Sequence, residues 1–409
     1  MTSKSRIEDL AILGGAPAFG KPLHVGSPNI GNRKRFLERV NHILDERWLT
    51  NDGPYVKEFE KRIAEIVGVQ HCIVVDNGTR ALEILIRALE LKGDVIVPAF
   101  TFVATAHALE WQGITPVFCD VNPRTYTLDP KQVLERITPH TTGIIGVHLW
   151  GQVCDTEALG QIARERGLQL IFDAAHAFGC SWRKKMVGNF GEAEIFSFHA
   201  TKSINSLEGG AIVTNNGELA EKMRLMRNFG FAGYDRVVYV GTNAKMNEMA
   251  AAMGITNLES MEEFFETNRK HYRTYERALA GIPGIHLMGY DEKERCNFQY
   301  VVIEMDDAKT RISRDRVMDL LWAENVRARR YFYPGCHRME PYRSRSTNIV
   351  HLLPVTERAV QRALVLPTGT GVREKDIERI CDLIRFAVSH AGELTPKLDS
   401  AKKPQSALP

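Results

Sequence analysis

The chain has 409 residues, of which 44% are hydrophobic and 25% are charged. These values are typical of a folded globular protein and exclude a disordered, collagen-like or mainly membrane-embedded chain. The length predicts two or three domains with a large hydrophobic core. Because 53 Lys and Arg residues against 50 Asp and Glu residues leave a net charge of only +3, the overall charge gives no reason to expect a nucleic-acid partner.

The cysteines and the first residues indicate the cellular compartment of the protein. The seven cysteines are scattered, odd in number and contain no CxxC pair, which favours reduced thiols over a disulfide framework or a metal site. The first 20 residues lack the apolar segment of a secretory signal, and no stretch approaches the roughly 18 apolar residues of a membrane span. We therefore expect a cytoplasmic protein without a metal site or a membrane partner.

The first half of the chain alternates helical segments with short apolar segments. Periodicity predicts helices over residues 34–48 and 55–67, and an apolar run at 72–75 leads through a tight turn into a helix at 81–91. Continuous apolar strands separated by helices are typical of a mostly parallel sheet covered on both faces. Further strands are predicted at 95–98, 116–119, 143–148, 168–172, 195–199 and 211–214, and further helices at 155–166 and 219–228.

The second half of the chain predicts a smaller α+β domain. A long helical stretch runs from residue 246 to 279 and is followed by shorter elements. We predict a large domain over residues 1–265, which includes the amino-terminal segment, a small domain over 266–391, and a flexible tail over 392–409. In the small domain, strands are predicted at 298–304, 327–332 and 364–366, and helices at 314–323 and 374–389.

Three polar segments follow predicted strands, at the edge where open α/β sheets bind ligands. The first is Asn77-Gly78-Thr79, between an apolar strand and a helix. Glycine lets the backbone approach a ligand closely, and a helix N-terminus attracts anions. The segment is therefore a candidate phosphate cup, although the same residues also suit a simple helix N-cap.

The other two segments supply an acid and a lysine. Asp173 directly follows one apolar strand, and Lys202 follows another, with Ser197 and Thr201 nearby. A buried carboxylate needs a cationic or hydrogen-bonding partner, and a desolvated lysine is suited to covalent catalysis on carbonyl compounds. Alternatively, Asp173 is a helix cap or part of a core ion pair, and Lys202 caps a surface turn. With a phosphate cup, the two match the needs of pyridoxal 5′-phosphate (PLP): a phosphate site, an acid for the ring nitrogen and a lysine for C4′.

Seven motifs occur in a specific order along the chain. They are residues 48–54 (WLTNDGP), 77–79 (NGT), 98–105 (PAFTFVAT), 173–177 (DAAHA), 197–202 (SFHATK), 208–210 (EGG) and 241–243 (GTN). In this order they resemble the DegT/DnrJ/EryC1/StrS aminotransferases, PLP-dependent enzymes of fold type I that act on nucleotide-linked keto sugars. The resemblance extends from about residue 24 to 390. It implies a large domain with a mostly parallel sheet and a smaller carboxyl-terminal α+β domain.

The resemblance implies roles around the cofactor ring. Lys202 would bind the cofactor covalently and move protons during catalysis, and Asp173 would pair with the pyridine nitrogen. His176 would lie near the ring hydroxyl, and Phe102 would stack on the ring. Phe102 could also be a core aromatic residue, and His176 a polar residue of the following helix. His199 is expected to be structural.

The resemblance also implies a phosphate site that two subunits share. Gly78, Thr79 and Ser197 would hold the phosphate from one chain, and Asn243 would reach the phosphate of the neighbouring subunit's cofactor. This implies a homodimer with composite active sites. Asn243 could otherwise be an ordinary loop residue.

For the substrate, segments 23–52 and 141–151 are most similar to the branch that aminates dTDP-linked 4-keto-6-deoxy sugars, for which L-glutamate is the expected donor. Thr50 and Gly53 are candidate substrate contacts, as is Lys245, where the family often has an arginine that grips phosphate better. The alternatives are a 3-keto sugar, a cyclitol of the scyllo-inosose type, or a regulatory relative without turnover. Some members of the family have histidine in place of the lysine and perform dehydration, so Lys202 favours amino transfer. The presence of both Lys202 and Asp173 disfavours a regulatory role.

Overall fold

The computed structural model describes residues 4–344 and 349–400, which alternate strands and helices along most of their length. The strands are β1 (Leu23–His24), β2 (His71–Val75), β3 (Asp94–Pro98), β4 (Thr115–Cys119), β5 (Thr141–Val147), β6 (Gln169–Asp173), β7 (Ser181–Trp182), β8 (Lys185–Met186), β9 (Ala193–Ser197), β10 (Gly210–Thr214), β11 (Ile285–Leu287), β12 (Val301–Met305), β13 (Val326–Arg327) and β14 (Ala363–Leu366). The helices are α1 (Arg33–Glu46), α2 (Pro54–Val67), α3 (Gly78–Ala88), α4 (Ala104–Glu110), α5 (Pro130–Arg136), α6 (Thr156–Arg166), α7 (Gly217–Arg227), α8 (Glu248–Leu258), α9 (Met261–Leu279), α10 (Asp307–Thr310), α11 (Arg314–Ala323), α12 (Glu340–Arg343), α13 (Pro354–Arg362), α14 (Glu374–Ser389) and α15 (Ala391–Ser400).

A seven-stranded sheet with the order β2-β10-β9-β6-β5-β3-β4 forms the centre of the larger part of the molecule. Strand β10 is antiparallel to both of its neighbours, and the other pairs are parallel. Most side chains of these strands are buried, as expected for a sheet with helices on both faces. The mostly parallel sheet predicted from the sequence is confirmed, and its strand bounds shift by only one or two residues.

The strand order brings the three polar segments to one edge of this sheet. Asp173 pairs with Ile195 where β6 runs parallel to β9. Gly210 pairs with Ser197 on one side and with Val75 on the other, because β10 lies between β9 and β2. The ends of β2, β6 and β9 therefore face the same cleft, as parallel strands require.

The carboxyl-terminal part contains the antiparallel sheet β11-β12-β14. This sheet shares a hydrophobic core with α9, α11 and α14. The strand predicted at 327–332 is shorter in the structure. It consists of β13 and an isolated bridge from Arg329 to Val365, after which the chain leaves the sheet to form one wall of the cleft.

The long helix predicted over residues 246–279 is two helices. The helix α8 ends at Leu258 and α9 begins at Met261, so Glu259 and Ser260 interrupt the helical stretch. Phe265 packs in the core beside the central sheet, whereas Tyr275 packs in the carboxyl-terminal core. The break lets one continuous segment contribute to both cores, and the boundary predicted after residue 265 falls inside α9.

Both ends of the chain differ from the sequence-based prediction. Ile7, Leu10 and Phe19 pack in the carboxyl-terminal core, and β1 pairs with β13. The first residues therefore belong with the small domain and not with the large one, because their apolar side chains find their partners there. The predicted flexible tail begins as α15, in which Leu394 and Leu398 are buried. Residues 401–409 of that tail lie outside the described residues.

The described helices include none long and apolar enough to span a membrane. Over the same residues, no group of three or more His, Cys, Asp or Glu side chains is arranged to hold a metal ion.

Candidate active site

A cleft of about 1310 Å³ lies at the edge of the central sheet where β2, β6 and β9 end. Residues 24–28 also line the cleft, as do Arg327, Arg329, Tyr331 and Phe332, so the amino-terminal segment and the small domain both contribute to it. Clefts between domains and at strand ends are the usual location of active sites in α/β proteins. Seven of the eight predicted cofactor contacts line this cleft: Gly78, Thr79, Phe102, Asp173, His176, Ser197 and Lys202.

The turn after β2 forms a narrow cup at the base of the cleft. The Asn77 side chain caps α3 by accepting a hydrogen bond from the backbone N–H of Arg80 (2.9 Å). The helix begins at Gly78 and leaves its first amides available to an anion. A Cβ atom at Gly78 would lie 3.1 Å from the Cβ of Ser197, and one at Gly210 would lie 2.5 Å from the Asn77 carbonyl carbon. Glycine is thus required at Gly210, and a side chain at Gly78 would fit only if Ser197 shifted by a few tenths of an ångström.

Asp173 is buried at the end of β6. One carboxylate oxygen accepts a hydrogen bond from the Thr105 hydroxyl (2.8 Å), and the other accepts one from the Ala175 N–H (3.1 Å). Burial raises the pKa of the Asp173 carboxyl, and these two hydrogen bonds and the charge of Lys202 oppose the shift. The two hydrogen bonds fix the carboxyl group, and its ionised form gains from any N–H donor or cation that faces it in the cleft.

Lys202 follows β9 and projects into the cleft. Its Nζ atom lies 3.3 Å from the hydroxyl oxygen of Tyr300, at the start of the β12 segment. Burial lowers the pKa of the Lys202 amine to about 8, and the Asp173 carboxylate partly opposes this shift. At neutral pH the amine is therefore much closer to its neutral, nucleophilic form than an exposed lysine would be.

The imidazole of His176 has a defined protonation state. The backbone N–H of Trp150 donates to its Nδ1 atom (3.2 Å), so the neutral ring carries its proton on Nε2. Burial and the positive charge of Lys202 hold the pKa of His176 well below its usual range. The ring lies 4.6 Å from the ring of Tyr300 and 5.9 Å from that of Phe332. His176 can therefore act as a hydrogen-bond donor in the cleft.

The model of the DegT/DnrJ/EryC1/StrS aminotransferase family matches residues 31–385. The chain belongs to this family. It is 36% identical over 369 residues to a dTDP-4-amino-4,6-dideoxy-D-glucose transaminase of Shigella dysenteriae, which covers 89% of this chain and 99% of the relative. It is 35% identical over 368 residues to a GDP-perosamine synthase of Caulobacter vibrioides, which covers 88% and 96%. Among solved structures, DesI in the presence of its TDP-sugar product has a TM-score of 0.93 and 46% identity, and covers 97% of this chain and 100% of DesI.

The protein is accordingly a PLP-dependent sugar aminotransferase. Its cleft fits the cofactor, because it combines an anion cup, a lysine of lowered pKa and a buried carboxylate that requires a positive partner. When bound, PLP supplies an electron-accepting ring for the substrate carbon. Phe102 is more than half exposed at the cleft wall, 6.0 Å from Phe332, where a planar ligand could cover it.

Four of the residues singled out in the sequence do not line the cleft of their own chain: Thr50, Gly53, Asn243 and Lys245. Gly53 lies against the carboxylate of Glu248, and Lys245 donates to the Asn228 side chain (2.9 Å). Asn243 is exposed and pairs with Asn228 through the backbone. His199 also lines the cleft and interacts with Thr201 and Glu208.

The sequence did not identify several side chains of the cleft. It also did not identify Thr105, which donates a hydrogen bond to Asp173. Thr105 is the last residue of the 98–105 motif, so the motif could have identified it. No local pattern marks the aromatic and basic residues of the small domain, because they reach the cleft only through folding. These are Tyr300, Arg327, Arg329, Tyr331 and Phe332.

Proposed function

We propose that this aminotransferase transfers the amino group of L-glutamate to C4 of a dTDP-linked 4-keto-6-deoxy sugar. The likeness to DesI carries the proposal, because DesI was solved with a TDP-sugar product and is 46% identical over nearly the whole chain. The dTDP-4-amino-4,6-dideoxy-D-glucose transaminases of Shigella dysenteriae and Escherichia coli, at 36% and 34% identity, support the same sugar and nucleotide.

In this proposal each residue of the cleft has a separate role towards the cofactor. The amides of Gly78 and Thr79 and the Ser197 hydroxyl bind the cofactor phosphate. Asp173 keeps the ring nitrogen protonated, which the hydrogen bonds from Thr105 and Ala175 support by fixing the carboxylate.

Lys202 would hold the cofactor covalently and would carry the proton to and from the substrate carbon. A pKa of about 8 suits this role, since the amine must serve as acid and base at different steps near neutral pH. His176 would donate from Nε2 to the ring hydroxyl, and Phe102 would stack on the ring.

We further propose that the active unit is a homodimer with shared sites. Two apolar side chains of α1, Leu37 and Leu44, are about half exposed in the single chain. The nearby turn and the loop after α7 add more exposed apolar side chains: Trp48, Leu49, Phe229, Phe231, Tyr234, Val237 and Val240. A surface of this kind is typical of a protein interface. In this proposal it brings Asn243 to the partner's phosphate cup and Thr50 and Lys245 towards the partner's substrate, whereas Gly53 is buried against Glu248.

A GDP-linked 4-keto-6-deoxy sugar is a second candidate substrate, because GDP-perosamine synthases are 30–35% identical to this chain. A panel of keto sugars tests both. Purified enzyme is incubated with PLP, glutamate and dTDP- or GDP-linked 4-keto sugars, a dTDP-linked 3-keto sugar, and scyllo-inosose. NMR of the product then gives the position of the new amine. We expect C4 amination of the dTDP sugar at the highest kcat/KM. Preferential amination of another member of the panel would contradict the proposal.

A further inference from the structure

The outer wall of the cleft carries an arginine to which the roles above assign no task. Arg329 lines the cleft and is half-buried. Its backbone N–H donates to the Val365 carbonyl (3.0 Å), and the Val365 N–H donates back to the Arg329 carbonyl (2.8 Å). These hydrogen bonds hold the Arg329 backbone against the edge of β14, so the position of its Cα atom beside the cleft is fixed.

The side chains of the two neighbouring arginines make polar contacts, whereas that of Arg329 contacts an aromatic ring. Arg330 pairs with Asp315 (3.1 Å), and Arg327 donates to the Trp322 carbonyl (3.4 Å). The Arg329 guanidinium lies 5.4 Å over the Tyr331 ring. Within the ranges 4–344 and 349–400 it makes no ion pair and donates no side-chain hydrogen bond. A half-buried guanidinium with unused donors favours an oxyanion, which it can bind through two parallel hydrogen bonds.

The ring contacts show how far this guanidinium lies from the reacting atoms. The Tyr331 ring stacks on that of Phe332 (5.0 Å), which in turn stacks on that of His176 (5.9 Å). Two aromatic rings thus separate Arg329 from His176. The α-carboxylate of an amino donor is bonded to the reacting carbon and must lie beside Lys202. The diphosphate of a nucleotide-linked 4-keto sugar is attached at C1, across the sugar ring from C4, so it lies further out.

We propose that Arg329 binds the diphosphate of the sugar nucleotide and that the Tyr331 ring holds the guanidinium in place for it. The inference rests on the proposed nucleotide-linked substrate. It gives the small domain a direct part in substrate recognition and makes Arg329 a specificity residue for nucleotide-linked sugars over free sugars. A carboxylate of the amino donor is the other oxyanion that could bind here, and the experiment below distinguishes the two.

The test compares Arg329→Gln with Arg330→Gln, which removes an adjacent arginine that is engaged outside the cleft. Calorimetry measures dTDP binding to the PLP-loaded enzyme, and the half-saturating glutamate concentration is read from the change in cofactor absorbance. We expect Arg329→Gln to raise the Kd for dTDP at least tenfold and to change the half-saturating glutamate concentration by less than twofold. Arg330→Gln should change neither. Arg329→Lys should give an intermediate loss, because it keeps the charge without the paired donors.

Each other result has one meaning. A rise in the half-saturating glutamate concentration with unchanged dTDP binding would assign Arg329 to the donor carboxylate and overturn the proposal. Unchanged values for both ligands in a folded Arg329→Gln protein, checked by circular dichroism, would also overturn it while leaving the proposed function standing. If the wild-type enzyme binds neither dTDP nor GDP, the nucleotide-linked substrate itself is wrong, and the role of Arg329 fails with it.

Discussion

At the scale of single residues, burial sets the protonation of the amine in the cleft. Lys202 has a pKa of about 8 because its charged form is poorly solvated there. The neutral amine therefore forms at lower pH than on an exposed lysine, whose pKa is about 10.4. For the apoenzyme we expect the rate of PLP attachment, followed by absorbance, to rise with pH and to level off above about pH 8.

Two controls accompany this measurement. N-α-acetyl-lysine in the same assay corrects for the pH dependence of PLP itself, and Lys202→Ala should form no reducible adduct and show no multiple turnover. A rate that keeps rising to pH 10, or a borohydride-reduced adduct on another lysine, would contradict the assignment.

Asp173 offers a second prediction at the same scale. Asp173→Asn keeps the size of the side chain and can still accept the hydrogen bond from Thr105, but it cannot stabilise a protonated ring nitrogen. We expect kcat to fall by much more than tenfold, which corresponds to more than about 1.4 kcal/mol of barrier, with unchanged circular dichroism. A smaller loss of kcat in steady-state assays would show that Asp173 does not control the ring nitrogen.

At the scale of elements, a buried carboxylate joins the amino-terminal segment to the end of α11. Glu324 is fully buried and accepts hydrogen bonds from the N–H groups of Ala11 (2.7 Å) and Ala18 (2.6 Å). Lys4 lies 3.3 Å from the same carboxylate. Removal of the Glu324 carboxylate leaves these buried donors without an acceptor, which lowers the free energy of unfolding by roughly 3 kcal/mol or more.

We therefore expect Glu324→Ala to lower the free energy of unfolding in urea by about 3 kcal/mol. The matched control is Glu292→Ala, which removes an exposed partner of Arg273 and should change stability by less than about 0.5 kcal/mol. Equal effects of the two substitutions would show that the amino-terminal segment does not depend on Glu324.

At the scale of the whole molecule, the shared-site proposal predicts complementation. Asn243 is exposed and does not line the cleft of its own chain. Lys202→Ala and Asn243→Asp homodimers should both be inactive, the second because the new carboxylate repels the phosphate. In a mixed dimer both lesions can fall in one site and leave the other site intact. Mixing should therefore restore activity towards one working site per dimer.

The control for this experiment is subunit exchange, which can be followed with two differently tagged chains. If exchange occurs and no activity returns, Asn243 serves its own subunit. A monomer by light scattering under assay conditions would contradict the shared site more directly.

The sequence by itself determined the central sheet and the residues at its strand ends. Apolar runs and helical periodicity are local signals, so they predicted the strands of that sheet within one or two residues. Asp173 and Lys202 could be singled out because a charged residue directly after a buried strand is uncommon and chemically costly. The motif order then identified the family and, with it, the cofactor.

The tertiary structure decided which distant residues complete the cleft. Tyr300 reaches Lys202 across 98 positions of sequence, and Arg329 enters the cleft because its backbone pairs with Val365. The amino-terminal segment packs on the small domain because Leu10 finds its apolar partners there. Neither periodicity nor spacing along the chain encodes such contacts, because they depend on how separately formed elements pack against one another.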